Sequence, residues 1–129
     1  MSAATVAAIV DHIKAQTLRC YDAHPSSPTY PYVVVYADGG VRSSDREADI
    51  RETQTVNWQT TVVGEDTDQC RAALDRVTAA LEDWRPVVAG RSFAKVEHPT
   101  SQLIRRDEEM PDRTLYIATD QWRVVSDPV

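Results

Sequence analysis

Apolar residues recur at helical spacing near the start of the chain and again at its centre. Within residues 3–19 they stand three and four positions apart, which places their side chains on one face of a helix. This first stripe consists of Val6, Ile9, Val10 and Ile13. A second stripe follows Asp66, a residue that can cap free N–H groups, with Gln69 three positions on as in a capping box. The second stripe consists of Cys70, Ala73, Leu74, Val77, Leu81 and Trp84. The pattern predicts two helices, the second of which is ended by Pro86 and Gly90.

Strand patterns occupy much of the remaining chain. Residues 32–37 are β-branched, aromatic or small, and we expect a strand that is covered on both faces. Residues 53–63 alternate between apolar and polar side chains, which predicts a strand with one buried and one polar face. Two further strands are predicted over 91–98 and 114–125, with a polar loop over 99–113 between them.

The order of the predicted elements is α-β-β-α-β-β. Two helices that each carry one apolar stripe can bury both stripes against the same face of a sheet. The sequence therefore predicts an α+β fold in which two helices pack on one face of a four-stranded, mostly antiparallel sheet. A length of 129 residues fits a single domain over 1–129.

The charge balance argues against affinity for nucleic acids. The chain has 14 basic and 20 acidic side chains and a formal net charge of −6, whereas phosphate contacts require clustered basic residues. An alternative is a stacking platform of strand aromatics for single-stranded nucleic acid, for which the strands offer mainly Lys95 and Arg123 as cations. Because no stretch approaches the roughly 18 apolar residues of a membrane span, we expect no membrane contact.

Residues with catalytic or metal-binding potential are sparse. Cys20 and Cys70 both fall in segments predicted to be helical, where we expect two reduced core thiols, with one disulfide as the alternative. A three-ligand zinc site can be drawn from His12, Cys20 and His24, but the second close pair of ligands that such sites use is missing. His98 could act as a lone general base, yet no nucleophile or orienting carboxylate stands beside it in the sequence. The sequence therefore predicts neither an enzyme nor a metal or cofactor site.

A loop of mixed charge is the candidate interaction site. Residues 41–52 join two predicted strands and are more numerous than a hairpin needs, which indicates either a functional loop or one that is merely solvated. Charges of alternating sign fix the register and orientation of partners. The candidate residues for a subunit interface or a lumen are Arg42, Asp45, Arg46, Glu47, Asp49, Arg51 and Glu52.

The order and character of these segments carry a family resemblance. An amphipathic helix leads through a Pro-rich connector over 25–31 into the apolar strand at residue 32, and the charged loop leads into a strand rich in Thr and Gln. The central helix opens with Asp66-Thr67-Asp68-Gln69-Cys70-Arg71-Ala72-Ala73, and the chain closes with Tyr116-Ile117-Ala118-Thr119-Asp120-Gln121-Trp122-Arg123-Val124. Over nearly its whole length the chain resembles the tail terminator (tail-completion) proteins of long-tailed bacteriophages of the siphophage type.

The resemblance implies a virion structural protein without catalysis or cofactor. Copies of the chain would form a ring, expected to be a hexamer, at the head-proximal end of the tail tube, after assembly in the host cytoplasm. The ring would end polymerisation of the tail tube protein and offer a surface to the head–tail connector protein, while genome DNA passes through the lumen without specific binding. The alternatives are a head–tail connector or other minor virion structural protein, and a non-phage ligand-binding α+β domain.

Overall fold

The computed structural model describes residues 2–16, 19–22, 29–37, 41–43, 53–108 and 114–129. Its elements in chain order are α1 (Ser2–Lys14), β1 (Arg19–Asp22), β2 (Tyr32–Ala37), β3 (Val41–Ser43), β4 (Thr53–Gly64), α2 (Thr67–Leu81), β5 (Arg91–Phe93), β6 (Glu97–Ser101), β7 (Arg105–Arg106) and β8 (Tyr116–Pro128). The eight strands in these residues form one sheet. The α+β class is confirmed, whereas the prediction of a four-stranded, mostly antiparallel sheet is wrong, since the sheet is larger and mixed.

The two longest strands, β4 and β8, form the centre of the sheet. They pair antiparallel from Gln54 opposite Ser126 to Gly64 opposite Tyr116. β2 and β3 lie in succession along the other side of β4, both antiparallel to it. β1 pairs with β2 in parallel at the edge, which makes the sheet mixed. β5, β6 and β7 lie in succession along the other side of β8.

β5, β6 and β7 together form one edge of the sheet. This edge contains more residues than the part of β8 with which it pairs. Relative to β8, the edge has one residue too many in each of the segments 94–96, 98–99 and 102–104. An extra residue bends its strand and interrupts the alternation of faces. For that reason the predicted loop over 99–113 is wrong at its start, where β6 and β7 continue the edge.

Both helices cover the same face of the sheet, as the sequence predicts. The core side chains of the helices are Ile9, Val10 and Ile13 from α1 and Cys70, Ala73, Val77 and Leu81 from α2. Those of the central and inner strands are Val33, Val35, Val56, Trp58, Val62, Ala118, Trp122 and Val124. Each large apolar side chain buried in this way contributes roughly 1.5–3 kcal/mol of transfer free energy. Neither of the described helices is long and apolar enough to cross a membrane.

The start of α2 is fixed by side-chain caps. The Asp66 carboxylate accepts a hydrogen bond of 2.7 Å from the N–H of Gln69, and the Gln69 side chain accepts one of 2.6 Å from the N–H of Glu65. The first bond satisfies a backbone donor that the first turn leaves free, and the second holds the residue before the cap. Gly64 permits the close approach of β4 to this turn, because a Cβ there would lie 2.8 Å from the nitrogen of Cys70.

The first helix is shorter than predicted. α1 ends at Lys14, and β1 begins at Arg19, so the expected helix over 3–19 is wrong at its end and Cys20 lies in a strand. Pairing with β2, a contact between residues distant in sequence, overrides the local helical pattern here. Both cysteines are nevertheless free and buried, which confirms two core thiols. Burial raises the pKa of the Cys20 thiol to about 12 and that of Cys70 to about 11.

Candidate assembly surface

The sheet face that is turned away from the helices is polar along β4 and β8. The even-numbered residues of β4 are buried, and its odd-numbered residues are exposed or half-buried up to Thr61. The same alternation holds for the part of β8 that pairs with them. We call this surface the open face; its residues are Thr53, Thr55, Asn57, Gln59, Thr61, Thr119, Gln121, Arg123, Val125 and Asp127. The predicted polar side of the β4 strand is thus confirmed.

Amides and hydroxyls stand in cross-strand pairs at the centre of the open face. Thr61 lies opposite Thr119, and Gln59 lies opposite Gln121. The two threonine hydroxyls are 3.4 Å apart, and the Gln59 amide donates to the Thr61 hydroxyl over the same distance. Hydrogen bonds of this length are weak. These groups therefore keep the capacity to bond to a partner.

The charges near the centre of the open face are paired with each other. The Arg123 guanidinium donates to a carboxylate oxygen of Glu97 on β6, with 2.8 Å between Nε and that oxygen. Because the two side chains are 46% and 54% exposed, the pair contributes little to stability, about 0–1 kcal/mol. Its consequence is electrostatic: this part of the surface has no net charge on a chain whose total is −6.

An open trough of about 460 Å³ lies on this face. Its lining includes Tyr36, Asn57, Gln59, Pro99 and Gln121. Tyr36 stands opposite Gln59 in the β2–β4 register and is 44% exposed. Exposed aromatic residues among uncharged polar groups are typical of protein–protein interfaces, in which charged residues are depleted at the centre.

A second apolar cluster closes the other end of the same face. Its buried members are Tyr32, Val34, Val63 and Leu115, and Tyr21, Tyr30 and Ile117 pack against them. The ring centroids of Tyr30 and Tyr32 are 5.4 Å apart, and burial is the main cause that raises the pKa of the Tyr32 hydroxyl to about 12. The polar open face is therefore limited to the half of the sheet beyond this cluster.

His98 has the orienting carboxylate that sequence reasoning missed. Its Nε2 lies 3.2 Å from Oδ1 of Asp120, which is 22 positions away and 1% exposed. The imidazole also stacks on the Trp122 ring, with 3.9 Å between centroids. The Trp122 indole N–H in turn donates to the Thr60 hydroxyl at 2.9 Å. No signal in the sequence indicates this cluster, because it depends on the register of β6, β8 and β4.

The geometry of this cluster indicates a structural contact between strands rather than a catalytic pair. The histidine ring lies flat against an indole, and the hydroxyl of Thr60 is occupied as an acceptor. General base catalysis needs a nucleophile within hydrogen-bond reach. The contacts of His98 instead link the edge strand β6 to the central strand β8.

His12, a ligand in the alternative zinc site, has other partners. Its ring stacks on Trp84 at 3.9 Å, and its Nε2 lies 2.7 Å from the Ala80 carbonyl oxygen near the end of α2. An imidazole N–H that donates to this carbonyl satisfies one of the acceptors that a helix end leaves free. His24 lies outside the described residues, and the described residues contain no group of three His, Cys, Asp or Glu that could hold a metal.

The predicted interface residues lie largely outside the described part of the chain. Of Arg42, Asp45, Arg46, Glu47, Asp49, Arg51 and Glu52, the structure describes only the backbone of Arg42, which pairs with Gln54 in the β3–β4 ladder. The first three residues of the predicted loop therefore form a strand. In the sequence, residues 44–52 connect β3 to Thr53, the first residue of β4. Their role in subunit contacts stays a prediction.

These features define an α+β domain with a polar sheet face and an open trough on it. The profile of the family described as Tail completion protein gp17 matches residues 1–119, and the chain belongs to this family. The protein is thus a structural component of the bacteriophage virion tail, as the sequence resemblance implies.

Similarity to solved structures extends over the whole fold. A chain of the structure described as "Virion of native gene transfer agent (GTA) particle" matches with a TM-score of 0.75 and 18% identity, over 98% of this chain and 96% of that one. At this identity the likeness concerns the fold. No curated protein sequence shows a significant match.

Proposed function

We propose that the protein forms a homo-oligomeric ring, expected to be a hexamer, that caps the tail tube. The ring ends polymerisation of the tail tube protein and provides the surface on which the head–tail connector docks. Family membership supports a role in tail completion. The observation that supports the ring is the uncharged lining of the trough on the open face, with Tyr36 in it, on a chain of net charge −6.

The physical reason is electrostatic. Identical acidic subunits repel each other wherever their charged surfaces meet, and they associate with least repulsion through neutral surfaces. The net negative charge serves a second purpose in a ring, because genome DNA crosses the lumen without adhering to it. A head–tail connector or another minor virion protein would have similar surfaces and would differ in the ring on which it stacks. Family membership favours a tail protein over a ligand-binding domain.

The test combines native mass with tube growth. Light scattering on the purified protein, at low and moderate salt, should give about six times the 14.4 kDa of one chain, either alone or after addition of tail tube protein. Electron microscopy should show rings at tube tips, and tubes should stop lengthening once the protein is added. Tubes that grow unchanged in its presence, without rings at their ends, would contradict the proposed function.

A further inference from the structure

We propose that Leu103 of one subunit docks into the trough on the open face of the neighbouring subunit. The inference rests on the ring proposed above and names the contact that closes it. The trough of one copy, with Tyr36 and Pro99 as its apolar walls, receives the leucine of the next copy.

Leu103 is presented to a partner by its place in the edge strand. Its side chain is 89% exposed, and it lies in the segment 102–104 where the edge has one residue more than β8. The backbone is held on both sides of it: the Gln102 N–H donates to the Thr119 carbonyl at 3.0 Å, and Arg105 pairs with Ile117. A single exposed leucine is common on protein surfaces. A leucine on a backbone anchored at both flanks is different, since little entropy is lost when it docks.

The trough has room for this side chain and offers it suitable contacts. Its volume of about 460 Å³ is several times that of a leucine side chain. Tyr36 and Pro99 offer apolar surface, while Gln59 and Gln121 offer amide donors and acceptors to the backbone of an incoming segment. An apolar anchor surrounded by hydrogen-bonding groups is the usual arrangement at the centre of an interface.

Both surfaces are uncharged, so a second acidic copy meets little repulsion here, which favours it as the occupant. Residues 101–104 have no charged side chain, and the charged Arg123 near the trough is paired with Glu97. Contact between these two patches avoids the repulsion that other approaches of two acidic copies would meet. A strongly charged partner would gain nothing from either patch.

The two patches lie on different parts of the subunit. Leu103 lies on the outer edge of the sheet, and the trough lies on the face of β4 and β8. The contact propagates around a ring when it is heterologous, with the leucine of each copy in the trough of the next. Pro99 and the extra residues also make this edge unsuitable for adding another strand. Docking by a side chain is therefore favoured over extension of the sheet.

Disulfide trapping tests the contact directly. One variant carries Leu103→Cys and another carries Gln121→Cys; both positions are exposed. The native thiols of Cys20 and Cys70 are buried, and their raised pKa values of about 12 and 11 keep them protonated during mild oxidation. We expect cross-linked pairs in a mixture of the two variants, at high protein concentration, and little cross-linking in either variant alone. Val87→Cys mixed with Gln121→Cys is the control, because Val87 is 90% exposed near the other end of β8.

Assembly measurements complete the test. Leu103→Ala should raise the protein concentration needed for half-maximal assembly by roughly tenfold, while Val87→Ala should leave it unchanged. Equal cross-linking of Val87→Cys, or efficient cross-linking of Leu103→Cys with itself, would overturn the docking site. If wild-type rings form on tube tips but no cross-link joins the two positions, the docking site is wrong and the proposed function stands. If no rings form, the proposed function fails, and the cross-link in solution still decides the contact.

Discussion

His98 and Asp120 form a polar contact between an edge strand and the core of the molecule. The Nε2 atom of His98 lies 3.2 Å from the Asp120 carboxylate, and the two side chains are 27% and 1% exposed. The second oxygen of this carboxylate has no hydrogen-bond partner among the described residues. A buried carboxylate is costly unless it is bonded, so the histidine contact is important for its stability. Stacking on Trp122 holds the imidazole in place.

Removal of the histidine should destabilise the fold. We expect His98→Ala to lower the free energy of unfolding by roughly 1–3 kcal/mol, because Asp120 then lacks a partner in a buried site. Urea unfolding followed by circular dichroism measures the change. Thr100→Ala is the control, since this exposed residue lies on the same strand. If both variants unfold at the same urea concentration, the contact has no structural role.

The cap of α2 provides a second test. Asp66→Ala removes the acceptor for the Gln69 N–H and should cost about 0.5–2 kcal/mol of unfolding free energy. Asp68→Ala is the matched control, because Asp68 lies in the same first turn and pairs with exposed Arg71. Thermal unfolding of the two variants separates loss of the cap from loss of charge at the helix N-terminus. An equal effect of both substitutions would show that charge, and not the cap, stabilises this end.

The parts of the fold that the sequence predicts well have local causes. The Asp66 cap and the alternation along β4 both act between near neighbours in the sequence. Residues 32–37 and 53–63 likewise appear as strands close to their predicted bounds. Predictions fail where pairing between distant residues decides the structure. β1 pairs in parallel with β2 despite a helical pattern before it, and the extra residues in the β5–β7 edge hide its strand character.

The candidate site, too, is predictable from the sequence only where its causes are local. The polar side of β4 is visible in the alternation of Asn57, Gln59 and Thr61 with apolar residues. The trough is not visible in the sequence, because Tyr36, Gln121 and Pro99 come together only through the order of the four strands β2, β4, β8 and β6 and an extra residue in the edge. Composition and local periodicity do not show which strands become neighbours or where an edge has an extra residue.

Burial predicts different effects for two leucines of α2. Leu81 is 0% exposed, and Leu81→Ala should cost about 2–5 kcal/mol of unfolding free energy through the cavity it leaves. Leu74 packs against the core cluster but is only partly buried, so Leu74→Ala should cost clearly less. Equilibrium unfolding in urea with a common m-value measures both. A larger effect at Leu74 would mean that the helix presents a different face to the sheet.

The buried thiols predict a loss of stability in alkaline solution. The pKa values of Cys20 and Cys70 rise from the ordinary value of 9.0 to about 12 and about 11. A raised pKa means that the folded state holds the thiol proton more tightly, so this contribution is fully present below pH 9. It is lost as the pH rises from about 9 to about 12, because the unfolded chain ionises first. Between pH 8 and pH 10.5, roughly, the wild type should lose more unfolding free energy than a Cys20→Ala/Cys70→Ala variant. Equal losses would contradict the prediction.

Charge reversal in the loop between β3 and β4 tests the interface predicted from the sequence. Arg46 and Arg51 alternate with acidic residues in the segment of the sequence between β3 and β4. If these charges fix the register of neighbouring subunits, Arg46→Glu and Arg51→Glu should each raise the concentration for half-maximal assembly by roughly tenfold. The effect should shrink as salt is added, because exposed charges are screened.

The matched control for these reversals is Arg76→Glu. Arg76 is exposed on the outer side of α2, so its reversal changes the net charge by the same amount outside the loop. Monomer stability should be nearly unchanged in all three variants, which thermal unfolding would verify. If Arg76→Glu weakens assembly as much as the loop variants do, the effect comes from the total charge of the subunit. If none of the three weakens assembly, the loop takes no part in the ring, and the contacts between subunits must come from the open face and the edge of the sheet.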